Sequence, residues 1–183
     1  MLFPGGRLPL RIFETRYMDM ARACLREGSP FGVCAIREGA EVGAPATPYD
    51  VGTLARIVHW DMPQLGLLHV VAQGERRFRI RSRRLERNGL ALAAVDVLEE
   101  ETDSPIPGRA AHCARLLERL IERQPALFAE PQRLDSAAWV GARLAELLPL
   151  SLPEKQALLE LDAGAARLER ISALLREELP PES

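Results

Sequence analysis

The hydrophobic patterning of the chain changes once, from strand-like to helical, and this change constrains the fold more than any other feature. Residues before about position 98 form short runs with strand-like patterning, whereas residues after about position 110 carry apolar side chains at helical spacing. The two parts meet at the acidic and then Pro- and Gly-rich run Glu99–Gly108, which is typical of a linker or long turn. Strands followed by helices predict an α+β chain, which we divide into residues 1–103 and 104–183.

One helix is predicted near the amino terminus. Apolar residues recur at helical spacing from Phe13 to Cys24, and Gly28 lies where a left-handed C-cap would fall. The apolar run 31–36 then predicts a short strand, and residues 38–50 predict a loop.

The rest of the first part predicts antiparallel strands joined by tight turns. The predicted strands are residues 53–60, 67–73, 77–86 and 90–98. Asp61 to Gly66 suits a hairpin loop, Gly74 predicts a bend or bulge, and Asn88-Gly89 is a strong hairpin signal. Several short strands with one early helix predict a small, partly open barrel.

The second part is predicted to contain three or four helices. Apolar residues have helical spacing from His112 to Ile121, and Asp135 is predicted to cap a helix that ends before Pro149. Ser151 and Glu154 have the spacing of a capping box, in which each side chain accepts a hydrogen bond from the other residue's backbone N–H.

Residue types that usually carry chemistry are sparse. The chain has no phosphate-binding Gly-x-x-x-x-Gly-Lys-Ser/Thr motif, and its only lysine, Lys155, follows a serine that the capping box engages. Three cysteines have no metal-like or redox-like spacing, and adjacent His112 and Cys113 are expected to point apart on a helix. His59 and His69 are expected to face each other across a hairpin. We therefore expect no enzyme activity, no metal and no cofactor.

Composition limits the partners and the cellular compartment that we expect for this chain. The formal net charge of -2 argues against general affinity for nucleic acid or membranes, and 47% hydrophobic residues are ample for a core. No secretory leader and no apolar run of about 20 residues is present. We expect a cytoplasmic protein with no membrane partner.

A basic run is the sharpest local feature, with seven arginines between Arg76 and Arg87. On a regular strand, one face would carry Arg77, Arg79, Arg81 and Arg83. Three interpretations stay open: a solvated face neutralised by Glu75, Glu86 and Glu99 to Glu101, a site for acidic peptides, or a site for RNA. Further binding candidates are Arg11 and Arg16, which could also pair with Glu14 as a latch, and Trp60, for which core or interdomain packing is the alternative.

Five motifs in order resemble the amino-terminal domain of the Lon protease family. They are Ile12-Phe13-Glu14-x-Arg16-Tyr17, Phe31-Gly32-Val33, Val51-Gly52-Thr53-x-Ala55-Arg56-Ile57, Gly74-x-x-Arg77-Phe78 and the run from Leu147 to Glu160. The resemblance implies a PUA-like, mostly antiparallel β-barrel followed by an α-helical bundle. Family members usually begin with a Pro-Leu-Phe-Pro-Leu strand that residues 1–5 lack. We expect the native start to lie upstream; the alternative is a barrel edge that is open or filled by another chain.

The resemblance implies binding rather than chemistry. We expect a substrate-binding or adaptor domain that holds unfolded or partly folded protein and peptide segments in a groove between barrel and helices, as part of a protease system. An RNA-binding PUA-like module is the alternative, and a hydrolase using Cys34 or Cys113 is a third hypothesis.

Overall fold

A computed structural model describes residues 1–39, 46–128 and 131–178. It divides into two compact units, 1–99 and 100–183. The first unit holds all seven named strands and one helix, and the second holds four α-helices. The α+β class is therefore confirmed. Among the described residues, no helix is both long and apolar enough to cross a bilayer.

The first unit is built around one long strand. The strands are β1 (Arg7–Ile12), β2 (Phe31–Val33), β3 (Ile36–Glu38), β4 (Thr47–Pro48), β5 (Val51–Gln64), β6 (Leu67–Leu85) and β7 (Ala91–Val97). All pairings are antiparallel: β6 pairs with β5 on one side and with β1 and β7 on the other, and β2 extends the sheet beyond β5. The path through the described strands does not return to its start, so the sheet is open where a barrel is predicted. Strands β3 and β4 form a separate pair on either side of residues 40–45, which lie outside the described residues.

Helix α1 (Thr15–Glu27) covers one face of this sheet. Its buried residues, Met18, Ala21 and Cys24, follow helical spacing, and the first two join a core cluster with Leu68 and Val70 of β6. Gly28 has φ 63° and caps the helix in the left-handed conformation, as the sequence predicts. Phe13 differs from its prediction: it precedes the helix and is 60% exposed.

Gly74 lies inside β6 and not between two strands. The register moves from Thr53 opposite Arg77 to Ala55 opposite Gly74, which is a β-bulge in β6. The predicted bulge is confirmed, and the two strands predicted on either side of it form one continuous strand. The hairpin at Asn88-Gly89 is also confirmed, although only Gly89 has a positive φ, 82°.

The second unit contains α2 (Ala111–Arg123), α3 (Ala137–Leu147), α4 (Leu152–Glu160) and α5 (Gly164–Glu178). Helix α3 packs against the other three, and its N-cap is Ser136 rather than the predicted Asp135. The capping box of Ser151 and Glu154 is present as predicted: both reciprocal hydrogen bonds form at the start of α4.

Candidate functional site

The arginine run does not form the single basic face that a regular strand predicts. The four residues in question are Arg77, Arg79, Arg81 and Arg83. Between Ile80 and Ser82 the register with β7 shifts, so Arg81 is the extra residue of a β-bulge. The bulge reverses the alternation of side chains, which puts Arg83 on the face of Ile80 and leaves Arg79 on the other face.

Two of these arginines are engaged by the fold. Arg77 is only 4% exposed, which suits a structural role more than contact with a ligand. Arg81 forms an ion pair with Asp96 of β7, and its hydrogen bond lowers the pKa of the Asp96 carboxyl. Arg79 and Arg83 are exposed and have no ion pair with a described residue.

Two of the glutamates expected to neutralise this run bind arginines outside it. Glu75 accepts a hydrogen bond from Arg56 at 2.5 Å, within β5 and β6. Glu101 belongs to the second unit and binds Arg167 there. Glu75 therefore contributes to the contact between β5 and β6 and not to the outer half of β6.

Arg16 is a latch within the first unit. Its guanidinium lies 2.7 Å from the Glu14 carboxylate, donates to the carbonyl of Gly89 at 3.0 Å, and stacks 4.8 Å from the centre of the Tyr17 ring. It thereby joins the start of α1 to the tip of the β6–β7 hairpin. Arg11 is exposed and has no ion pair with Glu14, because strand β1 places it in register with His69.

The β5–β6 hairpin exposes apolar side chains at its tip. Trp60 is 54% exposed, so its predicted core packing is wrong, and Val58, Met62 and Leu65 are 48%, 37% and 99% exposed. Since Trp60 pairs with Val70, a core residue under α1, its ring lies on the covered face of the sheet at its margin. We call residues 58–65 the apolar hairpin.

The outer edge of β5 is unpaired along the apolar hairpin. Strand β2 pairs only with residues 53–55 of β5, and no described strand pairs with that edge from residue 57 onward. Backbone groups on such an edge can accept an added strand. The exposure of Leu65 could have been predicted from the sequence. Leu65 stands next to the turn glycine Gly66, where a side chain has no core to pack against.

The histidines do not form the pair that the sequence predicts. His59 is in register with Val71, and His69 with Asp61, because register shifts interrupt the β5–β6 pairing. His112 and Cys113 also differ from expectation: the imidazole Nε2 lies 3.5 Å from the Cys113 sulfur. No group of three His, Cys, Asp or Glu among the described residues is placed to hold a metal ion.

Burial makes the cysteine thiols poor nucleophiles. Desolvation raises the pKa of Cys34 to about 11, and Asp50 adds to the effect. Burial also raises the pKa of Cys113, which is fully buried. Thiolate is the reactive form, so neither residue suits the hydrolase hypothesis.

Alkylation tests this assignment. Near pH 8, Cys34 in the folded protein is expected to react with iodoacetamide about 100-fold more slowly than in the unfolded chain, because its pKa is about 11. Mass spectrometry of the digested protein would report each thiol, and the guanidinium-unfolded chain is the control. Rapid modification of Cys34 alone in the folded protein would contradict the assignment and revive a nucleophilic role.

Strands and helices of both units carry the five motifs: four lie in the first unit, and the run from Leu147 to Glu160 lies at α4 of the second. A family model of the substrate-binding domain of the ATP-dependent protease La (LON) matches residues 1–177. This chain belongs to the Lon substrate-binding domain family. The match covers both compact units, so in this family the strand-rich and helical parts occur together.

Relatives of this Lon-family domain are longer proteins. The chain is 28% identical to the Lon protease of Methylocella silvestris, over 98% of its own length and 23% of that relative. It is 29% identical to Lon protease 2 of Myxococcus xanthus, over 97% of its length and 22% of that relative. The chain thus spans less than a quarter of these relatives, and the family model that it matches is that of the substrate-binding domain, not of the protease or ATPase regions.

Solved structures agree with the fold. A Lon N-terminal domain protein from Xanthomonas campestris is 39% identical, with a TM-score of 0.78 over 94% of this chain and 92% of that one. The N-terminal domain of the Mycobacterium avium complex Lon protease has a TM-score of 0.67 at 19% identity, over 98% and 94% of the two chains. The second similarity supports the fold alone.

Proposed function

We propose that this chain is a non-catalytic recognition domain that binds unfolded or partly folded protein segments for a cytoplasmic protease system. The family description as a substrate-binding domain supports this proposal. The observation that carries it is the apolar hairpin, where four large apolar side chains are exposed within one turn region of the chain. Exposed apolar patches commonly mark interaction sites, since leaving them in water is unfavourable.

The proposed mode of binding is addition of an extended segment along the outer edge of β5. The unpaired backbone there would bond to any extended chain whatever its sequence, which suits a receptor for many substrates. Trp60 and Met62 would then favour segments with apolar side chains, which folded proteins bury and unfolded proteins expose. For this mode of binding, Trp60 is the candidate that we retain from the sequence, whereas Arg16 holds the hairpin of β6 and β7 in place.

Truncating the apolar hairpin should weaken binding. Trp60→Ser and Leu65→Ser are each expected to raise the Kd for an unfolded protein by about 10-fold, because buried aromatic and aliphatic anchors dominate such contacts. A suitable probe is a fluorescently labelled protein kept unfolded by reduction and carboxamidomethylation, which adds no charge. Fluorescence anisotropy would measure the Kd.

Leu127→Ser is the matched control. The exposed fraction of Leu127, 52%, is similar to that of Trp60, but Leu127 belongs to the second unit. This variant is expected to bind like the parent. Unchanged affinity of both hairpin variants, with melting temperatures like that of the parent, would place the binding surface elsewhere.

A further inference from the structure

The outer half of the β6–β7 hairpin carries a second uncovered surface. After the bulge at Arg81, one face of the hairpin holds two register pairs, Arg83 with Ala93 and Leu85 with Ala91. All four residues are exposed, and Leu85 is 54% exposed. We call these four residues the Arg83 face.

The Arg83 face is the continuation of a buried sheet face. Phe78 lies on the same side of β6, is only 2% exposed, and its ring is close to Gly32 and Gly52. Exposure increases outward from Phe78 through half-buried Ile80 to Leu85. The alanines opposite Arg83 and Leu85 are too small to cover them. An apolar surface next to the Arg83 guanidinium is therefore open to solvent.

The charge around this surface is positive. Residues 79–97 hold five arginines and two carboxylates, a formal net charge of +3 in a chain whose total is -2. One of the carboxylates, Asp96, is already paired with Arg81. Arg83, Arg84 and Arg87 have no ion pair with a described residue, and the other carboxylate, Glu86, is exposed in the turn.

We infer that the Arg83 face binds extended protein segments that carry an Asp or Glu next to an apolar side chain. The carboxylate would accept paired hydrogen bonds from Arg83, and the apolar side chain would pack on Leu85 and the alanines. Sequence-specific RNA recognition usually adds aromatic stacking, but the only Phe, Tyr or Trp of β6 and β7 is the buried Phe78, and His69 lies near the other end of β6. The chemistry of this face therefore favours an acidic protein segment.

This inference goes beyond the proposed function, because it concerns a different hairpin and a defined partner chemistry. The two surfaces can be tested separately. Trp60→Ser is expected to leave binding to the Arg83 face unchanged, and an Arg83 variant is expected to leave the apolar hairpin intact.

The test uses two labelled peptides of about 12 residues, one alternating Asp with Leu and the other alternating Asn with Leu. We expect Arg83→Glu to weaken the Asp peptide by about 10-fold or more and Leu85→Ser to weaken it by about 5-fold. The Asn peptide should bind at least about 10-fold more weakly to the parent, and added salt should weaken the Asp peptide. Arg119→Glu, an equal change of charge at an exposed position of α2, should have no effect.

The outcomes separate the alternatives. Equal binding of the two peptides, or an Arg83→Glu variant that binds the Asp peptide like the parent, would overturn the inference. Tighter binding of an oligouridylate of matched charge, lost in Arg83→Glu, would assign the face to nucleic acid and also overturn it. Arg83→Gln, which removes the charge without reversing it, provides the same readout if the glutamate variant does not fold.

Discussion

Replacing Arg167 with alanine is expected to lower the free energy of unfolding by about 3–5 kcal/mol. The Arg167 side chain is only 1% exposed, and its guanidinium binds both oxygens of the Glu101 carboxylate, one of them at 2.7 Å. Its Nε donates to the carbonyl of Leu158 at 2.8 Å. Alanine would leave a carboxylate that is 10% exposed and a backbone carbonyl without these donors.

Urea unfolding followed by far-ultraviolet circular dichroism would measure the loss. Arg109→Ala is the control, because Arg109 forms an exposed ion pair with Glu169 and such pairs contribute about 0–1 kcal/mol. The double variant Arg167→Met with Glu101→Leu should recover much of the stability, since apolar residues of similar size often replace buried ion pairs well. A loss from Arg167→Ala no larger than that from Arg109→Ala would show that the buried pair is not a main support of the second unit.

Gly74→Ala is expected to destabilise the first unit by about 3 kcal/mol. A Cβ at this position would lie 2.3 Å from the carbonyl oxygen of Phe3. The contact cannot relax easily, because Gly5 donates to the Gly74 carbonyl at 2.8 Å and Gly74 donates to the Gly6 carbonyl at 2.9 Å. The clash is with backbone that is itself held by hydrogen bonds, so no side chain can move aside.

Gly108→Ala is the matched control, because a Cβ there would meet nothing within 4 Å and its φ is not positive. It is expected to change stability by less than about 0.5 kcal/mol. Thermal unfolding followed by tryptophan fluorescence in a Trp139→Phe background, which leaves Trp60 as the one tryptophan, would follow the first unit. If Gly74→Ala and Gly108→Ala unfold at the same temperature, the segment around Phe3 does not pack against β6 as described.

Local signals in the sequence predicted several elements well. Gly28 caps α1, Ser151 and Glu154 form a capping box, and Asn88-Gly89 lies in a hairpin turn. Each of these depends on backbone conformations and hydrogen bonds that span only a few residues. The family resemblance, which rested on the order of five motifs, is confirmed by the family match.

The candidate binding surfaces were predicted only in part. Trp60 was a candidate in the sequence, but its exposure depends on two tertiary features. Strand β2 stops pairing with β5 at Ala55, and Trp60 lies opposite Val70 of β6. The face of Arg83 depends on a bulge at Arg81, where one extra residue reverses every side chain that follows. No periodicity argument within β6 could reveal that residue, because the bulge exists only relative to the partner strand.

The α+β class, most of the caps and turns, and the family follow from the amino-acid sequence alone, because these depend on local conformation and on the order of motifs. The tertiary structure decided which side chains are available for binding. It buried Arg77 and Arg167, exposed Trp60 and Leu65, and turned Arg83 toward an apolar face. Burial and register are set by contacts between residues far apart in the chain, and for this reason they could be assigned only once the strands and helices were in place.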